Sequence, residues 1–226
     1  QDLYEMQKIK EQMEKCICKI HKENDIASGF FLKINIQNGC ILVLMTNHHV
    51  LDKEYIETKD IIISLNNEED YLNIDMDPSI GRRFYTDEQF DSTFIEIKEN
   101  EIDKNRIHFL EVDQRIDNYR TTGYDLQSLK NEPIYILNYP ENSNIVNSRV
   151  VLKQVKDNEK IIHDCQTRYG SSGSPILSLN TFQVLGIHSQ GKKGENKEVN
   201  RGYFIHQPIF EFLEYIKETP IPNNNK

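Results

Sequence analysis

The sequence lacks the patterns that mark a chain for a membrane or for extracellular cross-linking. No apolar stretch approaches the roughly 18 residues that a membrane-spanning helix needs. No signal peptide opens the chain and no Asn-x-Ser/Thr sequon occurs in it. The four cysteines are too few and too ill-placed for a disulfide framework. Cys16 and Cys18 lie two apart in an apolar run, where a strand points both to one face, and Cys40 and Cys165 stand alone. Free thiols in a reducing compartment follow, so a cytoplasmic location is favoured. The Cys16-x-Cys18 spacing also lacks the Cys-x-x-Cys reach and a second ligand pair, which argues against zinc. Basic residues form no stripe, and the formal charge of −9 is spread along the chain, which argues against nucleic acid or an anionic membrane as main partners. The chain begins at Gln1 rather than Met. That leaves open a removed upstream segment, and with it secretion, a missing upstream domain or a partner.

With 226 residues, 37% of them hydrophobic and 28% charged, the chain can bury a core as one large domain or two small ones. Leu3, Met6, Ile9 and Met13 recur at helical spacing and predict an amphipathic N-terminal helix over 1–14 that packs on the rest. After Lys15 the period shortens. CICKI, SGFFLKINI, CILVLMT, DIIISLN, STFIEI, PIYILNY, NSRVVLKQV, KIIHDCQT, SPILSL, FQVLGIHS and GYFI are about eleven strand candidates. Gln37-Asn38-Gly39 suits a hairpin turn. Ile209, Phe210, Phe212, Leu213 and Ile216 predict a closing helix, and 219–226 reads as a disordered tail. Many short strands with regular turn signals mean an all-β barrel or sandwich. The polar segment from about Asp113 to Asn131 divides them into units at 15–118 and 119–218.

Chemistry is suggested by TRYGSSGSPILSLN, Thr167 to Asn180. A serine hydroxyl is a poor nucleophile at neutral pH and needs a base within hydrogen-bond reach, with a third group to orient that base. It also needs N–H donors aimed at the developing oxyanion, which a glycine-rich turn supplies. Of the seven histidines, only His48 and His49 follow an intensely apolar run, at the end of a buried strand. Of the thirteen aspartates between His49 and Ser172, Asp91 directly precedes the strand STFIEI; Asp87 lacks that context.

MTNHHVL, DSTFIEI and GSSGSP together resemble the three motifs of chymotrypsin-like (trypsin-fold) serine peptidases, in the family order His, Asp, Ser. The resemblance spans about Lys15 to Ile216. It implies an all-β fold of two six-stranded antiparallel β-barrels with an N-terminal and a C-terminal helix. It places the general base on His49, the orienting acid on Asp91, the nucleophile on Ser172, and the oxyanion donors on the N–H groups of Gly170 and Ser172. His48 is then a bystander. GIHSQG is similar to the family's pocket strand, which makes His188, Ser189, Gln190 and Gly191 substrate-binding candidates, with Ser189 touching the acid and Gly202 on the far wall.

Val50 stands where secreted animal trypsins carry a cysteine, and Ser171 where their zymogens carry an aspartate that pairs with a new N-terminus. Activation by that ion pair is therefore not expected. The chain looks instead like the disulfide-poor bacterial and protist branch that includes glutamyl endopeptidases. There, a threonine five residues before the nucleophile and a Gly-Ile/Val-His histidine read an acidic P1 side chain; Thr167 and His188 occupy those positions. Such a pair suits a carboxylate, because two hydrogen bonds and a partial positive charge oppose its desolvation. The implied activity is a serine endopeptidase acting on protein or peptide substrates, without metal or organic cofactor. The alternatives are a peptidase-fold binding module whose cleft is distorted or covered by the loop 192–201, and the peptidase part of a larger regulated protein.

Overall fold

The structure, a computed structural model, describes residues 2–23, 25–66, 71–140, 144–165, 169–192 and 199–219. Its first sheet is built from β1 (Ile17–Lys22), β2 (Asp25–Ile36), β3 (Gly39–Thr46), β4 (Ile61–Leu65), β5 (Tyr71–Ile74), β6 (Phe84–Asp87) and β7 (Ser92–Glu96) in the order β5-β4-β1-β2-β3-β7-β6, with β8 (Leu110–Glu111) parallel to β2. The second contains β9 (Pro133–Asn138), β10 (Val146–Val151), β11 (Gln154–Lys156), β12 (Lys160–His163), β13 (Pro175–Ser178), β14 (Val184–Lys192) and β15 (Val199–Phe204) in the order β10-β9-β13-β14-β15-β12-β11. The helices are α1 (Asp2–Lys15), α2 (Lys53–Thr58), α3 (Gln114–Asp117), α4 (Tyr119–Thr122) and α5 (His206–Glu218). Among the described residues no helix is long and apolar enough to cross a membrane.

Two curled antiparallel sheets with a helix at each end thus form the expected all-β fold. They hold eight and seven strands, rather than six each. Of the four strands beyond the eleven sequence candidates, three, β5, β6 and β8, are edge pieces of four residues or fewer in polar stretches. The fourth arises because NSRVVLKQV changes partner midway. Val146–Val151 pairs with β9, whereas Gln154–Lys156 pairs with β12.

Alternation along the central strands explains how the two units join. Phe31 and Leu44 point into the core of the first barrel. Phe30, Leu32, Val43 and Met45 point the other way, into a cluster shared with Ile136, Leu177 and Ile187 of the second sheet. α5 then returns to the first sheet, where Phe212 stacks on Phe94 of β7 with centroids 4.9 Å apart and planes 2° from parallel. Each of these buried rings contributes about 1.5–3 kcal/mol from removal of apolar surface alone. The strand that follows Asp91 is thereby braced from outside its own barrel.

α1 packs through Ile9 and Gln12. The Gln12 amide donates to the Phe182 carbonyl at 2.8 Å and accepts from the Tyr135 hydroxyl at 2.5 Å. The helical hydrogen bond from the Cys16 N–H to the Gln12 carbonyl, 2.9 Å, delays the strand until Ile17. Cys16 and Cys18 consequently enter different cores and do not share one face. All four cysteines are free thiols. The segment 113–131 contains α3 and α4. Asp113 caps α3 by accepting the Arg115 N–H at 2.9 Å and holds the Arg115 guanidinium at 2.8 Å.

Candidate active site

His49 and Asp91 meet where β3 and β7 end side by side. Beyond Thr46 the chain turns, with the Val50 and Leu51 N–H groups donating to the Asn47 carbonyl at 3.2 and 3.1 Å. The Asn47 side-chain amide donates to the Asp91 carbonyl at 2.8 Å. Asp91 has φ +46°, a left-handed conformation costing on the order of 1–3 kcal/mol that the surroundings must impose.

The Asp91 carboxylate faces His49 Nδ1 at 2.8 and 2.9 Å and accepts the His49 backbone N–H at 3.1 Å. It also accepts the Ser189 hydroxyl. Burial by itself raises the carboxyl's pKa, but the hydrogen bonds from His49 and Ser189 prevail and hold it below the usual range. Asp91 therefore stays ionised and keeps the proton of neutral His49 on Nδ1, which leaves Nε2 as an acceptor. The side chain of His49 is 37% exposed against 14% for Asp91, so a solute reaches the imidazole first. The other candidates lie aside. Asp87 accepts the Gln89 and Phe90 N–H groups at 2.8 and 3.1 Å, and His48 bonds Thr86.

Ser171 and Ser174 are buried; Ser172 is half-buried. The Ser171 hydroxyl donates to Asn138 Oδ1 at 2.9 Å and the Ser174 hydroxyl to the Ser171 carbonyl at 2.7 Å. Ser172 Oγ makes a longer bond, 3.3 Å, to the Ser189 carbonyl. Of the three hydroxyls, it is the least committed. Among the described residues, the Gly170 and Ser172 N–H groups engage no backbone carbonyl.

Gly173 has φ +85°, and a Cβ there would lie 2.1 Å from the Ser28 carbonyl oxygen. The turn docks this closely because Ser28 and Thr46 of the first barrel lie directly behind it. Gly173→Ala is expected to lower stability by about 2–4 kcal/mol, read from urea unfolding, since strain and overlap add.

His188 is 2% exposed on β14 and donates its N–H to the Ser174 carbonyl at 2.8 Å. Its ring touches His163 on β12. Burial lowers His188 to about 3 and His163 to about 4, so both are neutral near pH 7. The partial positive charge expected at His188 is therefore absent from the free protein. The tautomers follow. His163 Nδ1 accepts the Cys165 N–H at 3.3 Å, which puts its proton on Nε2, and Nε2 faces His188 Nδ1 at 3.3 Å. His188 accepts there and carries its own proton on Nε2.

Thr167 lies outside the described residues, as do 193–198 of the loop and 220–226 of the tail. The backbones of Gln190 and Gly191 pair with Arg201 and Asn200. Gly202 lies opposite His188, and a Cβ there would meet the Ile187 carbonyl at 2.4 Å. Among the described residues no group of three or more His, Cys, Asp or Glu side chains is placed to hold a metal ion. Sequence reasoning passed over His163, Asn47 and Ser28. Only His163 left a signal: in KIIHD it shares a strand face with Ile161 and is a histidine on a buried stripe.

Residues 27–187 match the family model described as trypsin-like peptidase domain. No curated protein matches the chain in sequence. Among solved structures, a serine endoprotease from Yersinia pestis aligns with TM-score 0.66 at 11% identity, over 95% of this chain and 67% of that one. A Glu endopeptidase aligns with TM-score 0.62 at 17% identity, over 91% of each chain. An inactive serine-to-alanine variant of a protein from M. tuberculosis aligns with TM-score 0.62 at 14% identity, over 93% of this chain and 91% of that one. At such identities the likeness is one of fold.

Proposed function

The chain belongs to the trypsin-like peptidase family, and on that premise we propose that it hydrolyses peptide bonds as a serine endopeptidase, with His49, Asp91 and Ser172 as its triad. The observation that carries this reading is the Asp91 carboxylate 2.8 Å from His49 Nδ1, with Ser189 bridging from that carboxylate to the Ser172 turn. Ser172 Oγ attacks the scissile carbonyl while His49 Nε2 takes its proton; His49 then protonates the leaving amine. Asp91 holds the tautomer and stabilises the imidazolium. The Gly170 and Ser172 N–H groups bind the oxyanion. Water clears the acyl-enzyme by the same route.

One observation favours a non-catalytic binding module instead: the Ser172 hydroxyl donates to the Ser189 carbonyl and makes no hydrogen bond to His49. Nucleophile–base bonds are often long in free enzymes and tighten once substrate is bound. Mass-spectrometric mapping of cuts in a diverse peptide library decides between the two. The endopeptidase reading expects cuts by wild type; a folded sample that cuts nothing contradicts it.

The same proposal extends to specificity. His188, with Thr167, reads an acidic P1 residue; Ser189, Gln190 and Gly191 pair with the substrate backbone, and Gly202 closes the far wall. The Nε2–H that the His163 contact leaves on His188 supports this, since a carboxylate accepts it. A P1 carboxylate also stabilises protonated His188, so its pKa of about 3 rises in the complex and binding takes up a proton. The kcat/KM ratio for P1 Glu over P1 Gln should therefore fall as pH rises from about 5 to about 8. Cuts after residues other than Glu or Asp would contradict the acidic pocket.

A further inference from the structure

We propose that Ser28, on β2 of the first barrel, is a positioning residue that sets the oxyanion donors of the Ser172 turn. This rests on the reading of Ser172 as nucleophile and concerns how its turn is held.

Three consecutive carbonyls of that turn are pinned from behind. The Gly170 carbonyl accepts the Ser28 hydroxyl at 2.8 Å. The Ser171 carbonyl accepts the Ser174 hydroxyl at 2.7 Å and the Ser174 N–H at 3.3 Å. The Ser172 carbonyl accepts the Ser28 N–H at 2.9 Å. In a trans peptide plane the carbonyl of one residue and the N–H of the next point in opposite directions. Pinning the Ser171 carbonyl inward therefore turns the Ser172 N–H outward. The Ser171 carbonyl shares its plane with the Ser172 N–H, and the Gly170 carbonyl fixes the plane before it, so the two together set where the Ser172 N–H points; the Gly170 N–H lies in the Tyr169 carbonyl's plane and is joined to this pinned pair through Gly170 Cα at φ +90°.

The direction of the Ser28 hydroxyl is determined as well. Its oxygen accepts the Tyr139 N–H at 2.9 Å, which commits its proton to Gly170. Ser28 is fully buried, so no water replaces either bond. Its own carbonyl is tied by the Thr46 hydroxyl at 2.9 Å, three residues before His49. One residue thus connects the strand end that carries the base to the turn that carries the nucleophile. The adjoining contact, Ser171 to Asn138 at 2.9 Å, is neutral and buried, so these bonds hold the turn without an ion pair.

The experiment compares wild type, Ser28→Ala and Ser28→Thr in peptide hydrolysis and in binding of a peptide boronic acid, whose tetrahedral adduct needs the oxyanion donors. Ser28→Ala is expected to lower kcat about tenfold to a hundredfold with KM within about twofold, and to weaken the boronate by the same factor as kcat. Ser28→Thr, which keeps the hydroxyl, should recover most of that loss. Should Ser28→Ala fail to fold, Ser174→Ala removes the hydroxyl bond to the Ser171 carbonyl and should show the same split. A folded Ser28→Ala that melts earlier yet keeps wild-type kcat and boronate affinity would overturn the proposal. Wild type that neither cuts peptides nor binds the boronate would instead overturn the triad reading, and this inference with it.

Discussion

Ser172→Ala should lower kcat for peptide hydrolysis by roughly a million-fold while leaving the fold intact. On the proposed mechanism the variant removes the atom to be acylated; substrate binding and the two proposed oxyanion donors remain, and alone they would give only slight catalysis. Its effect on stability is expected to stay within about 0.5 kcal/mol, because the hydroxyl removed makes a single long bond, 3.3 Å, at a half-buried site. Ser171→Ala is the contrasting control. It removes a hydroxyl from a buried bond with Asn138 at 2.9 Å and should lose about 1–3 kcal/mol of stability without abolishing turnover. Single-turnover cleavage and urea titration of both variants separate nucleophile from scaffold. Equal activity losses in the two would contradict the assignment of Ser172.

Asp91→Asn should lower kcat by about 10⁴-fold with KM little changed. The change is nearly isosteric, so the strained turn at φ +46° and the Asn47 bond to the residue's backbone carbonyl survive. What changes is the proton inventory. An amide NH2 facing His49 Nδ1 favours the tautomer protonated on Nε2, and that tautomer cannot accept the proton of Ser172. Asp91→Ala should lose a similar factor and some stability as well, since the Ser189 hydroxyl and the His49 N–H would both lose their acceptor. Steady-state kinetics read the expected loss in kcat. A loss confined to KM would mean that Asp91 shapes the cleft and not the base.

The triad candidates were legible because each belongs to a short motif whose local context the chemistry dictates. His49 follows a run too apolar to be anything but buried, Asp91 directly precedes a buried strand, and Ser172 lies in a turn whose glycines the backbone needs. The helices at both ends and most strands were readable from hydrophobic period. What stayed hidden depends on partners distant in sequence. β5, β6 and β8 are held by ladders to β4, β7 and β2, and their own residues carry little strand signal. The division of NSRVVLKQV between two partners leaves no mark on its apolar pattern. Cys16 was assigned to the strand because nothing local shows that α1 holds it through Gln12. Ser28 reads as a small residue at the head of an apolar strand, and its bond to Gly170 spans 142 positions. The neutral state of His188 likewise comes from burial and from His163, 25 residues away.

The central claim is that Ser172 is a nucleophile activated by His49. Its most direct test is to treat folded protein with a fluorophosphonate and to map the adduct by intact mass and peptide sequencing. The account predicts a single adduct, located on Ser172 and lost in both Ser172→Ala and His49→Ala. An adduct on Ser171 or Ser174, or a folded protein that stays unlabelled, would contradict it.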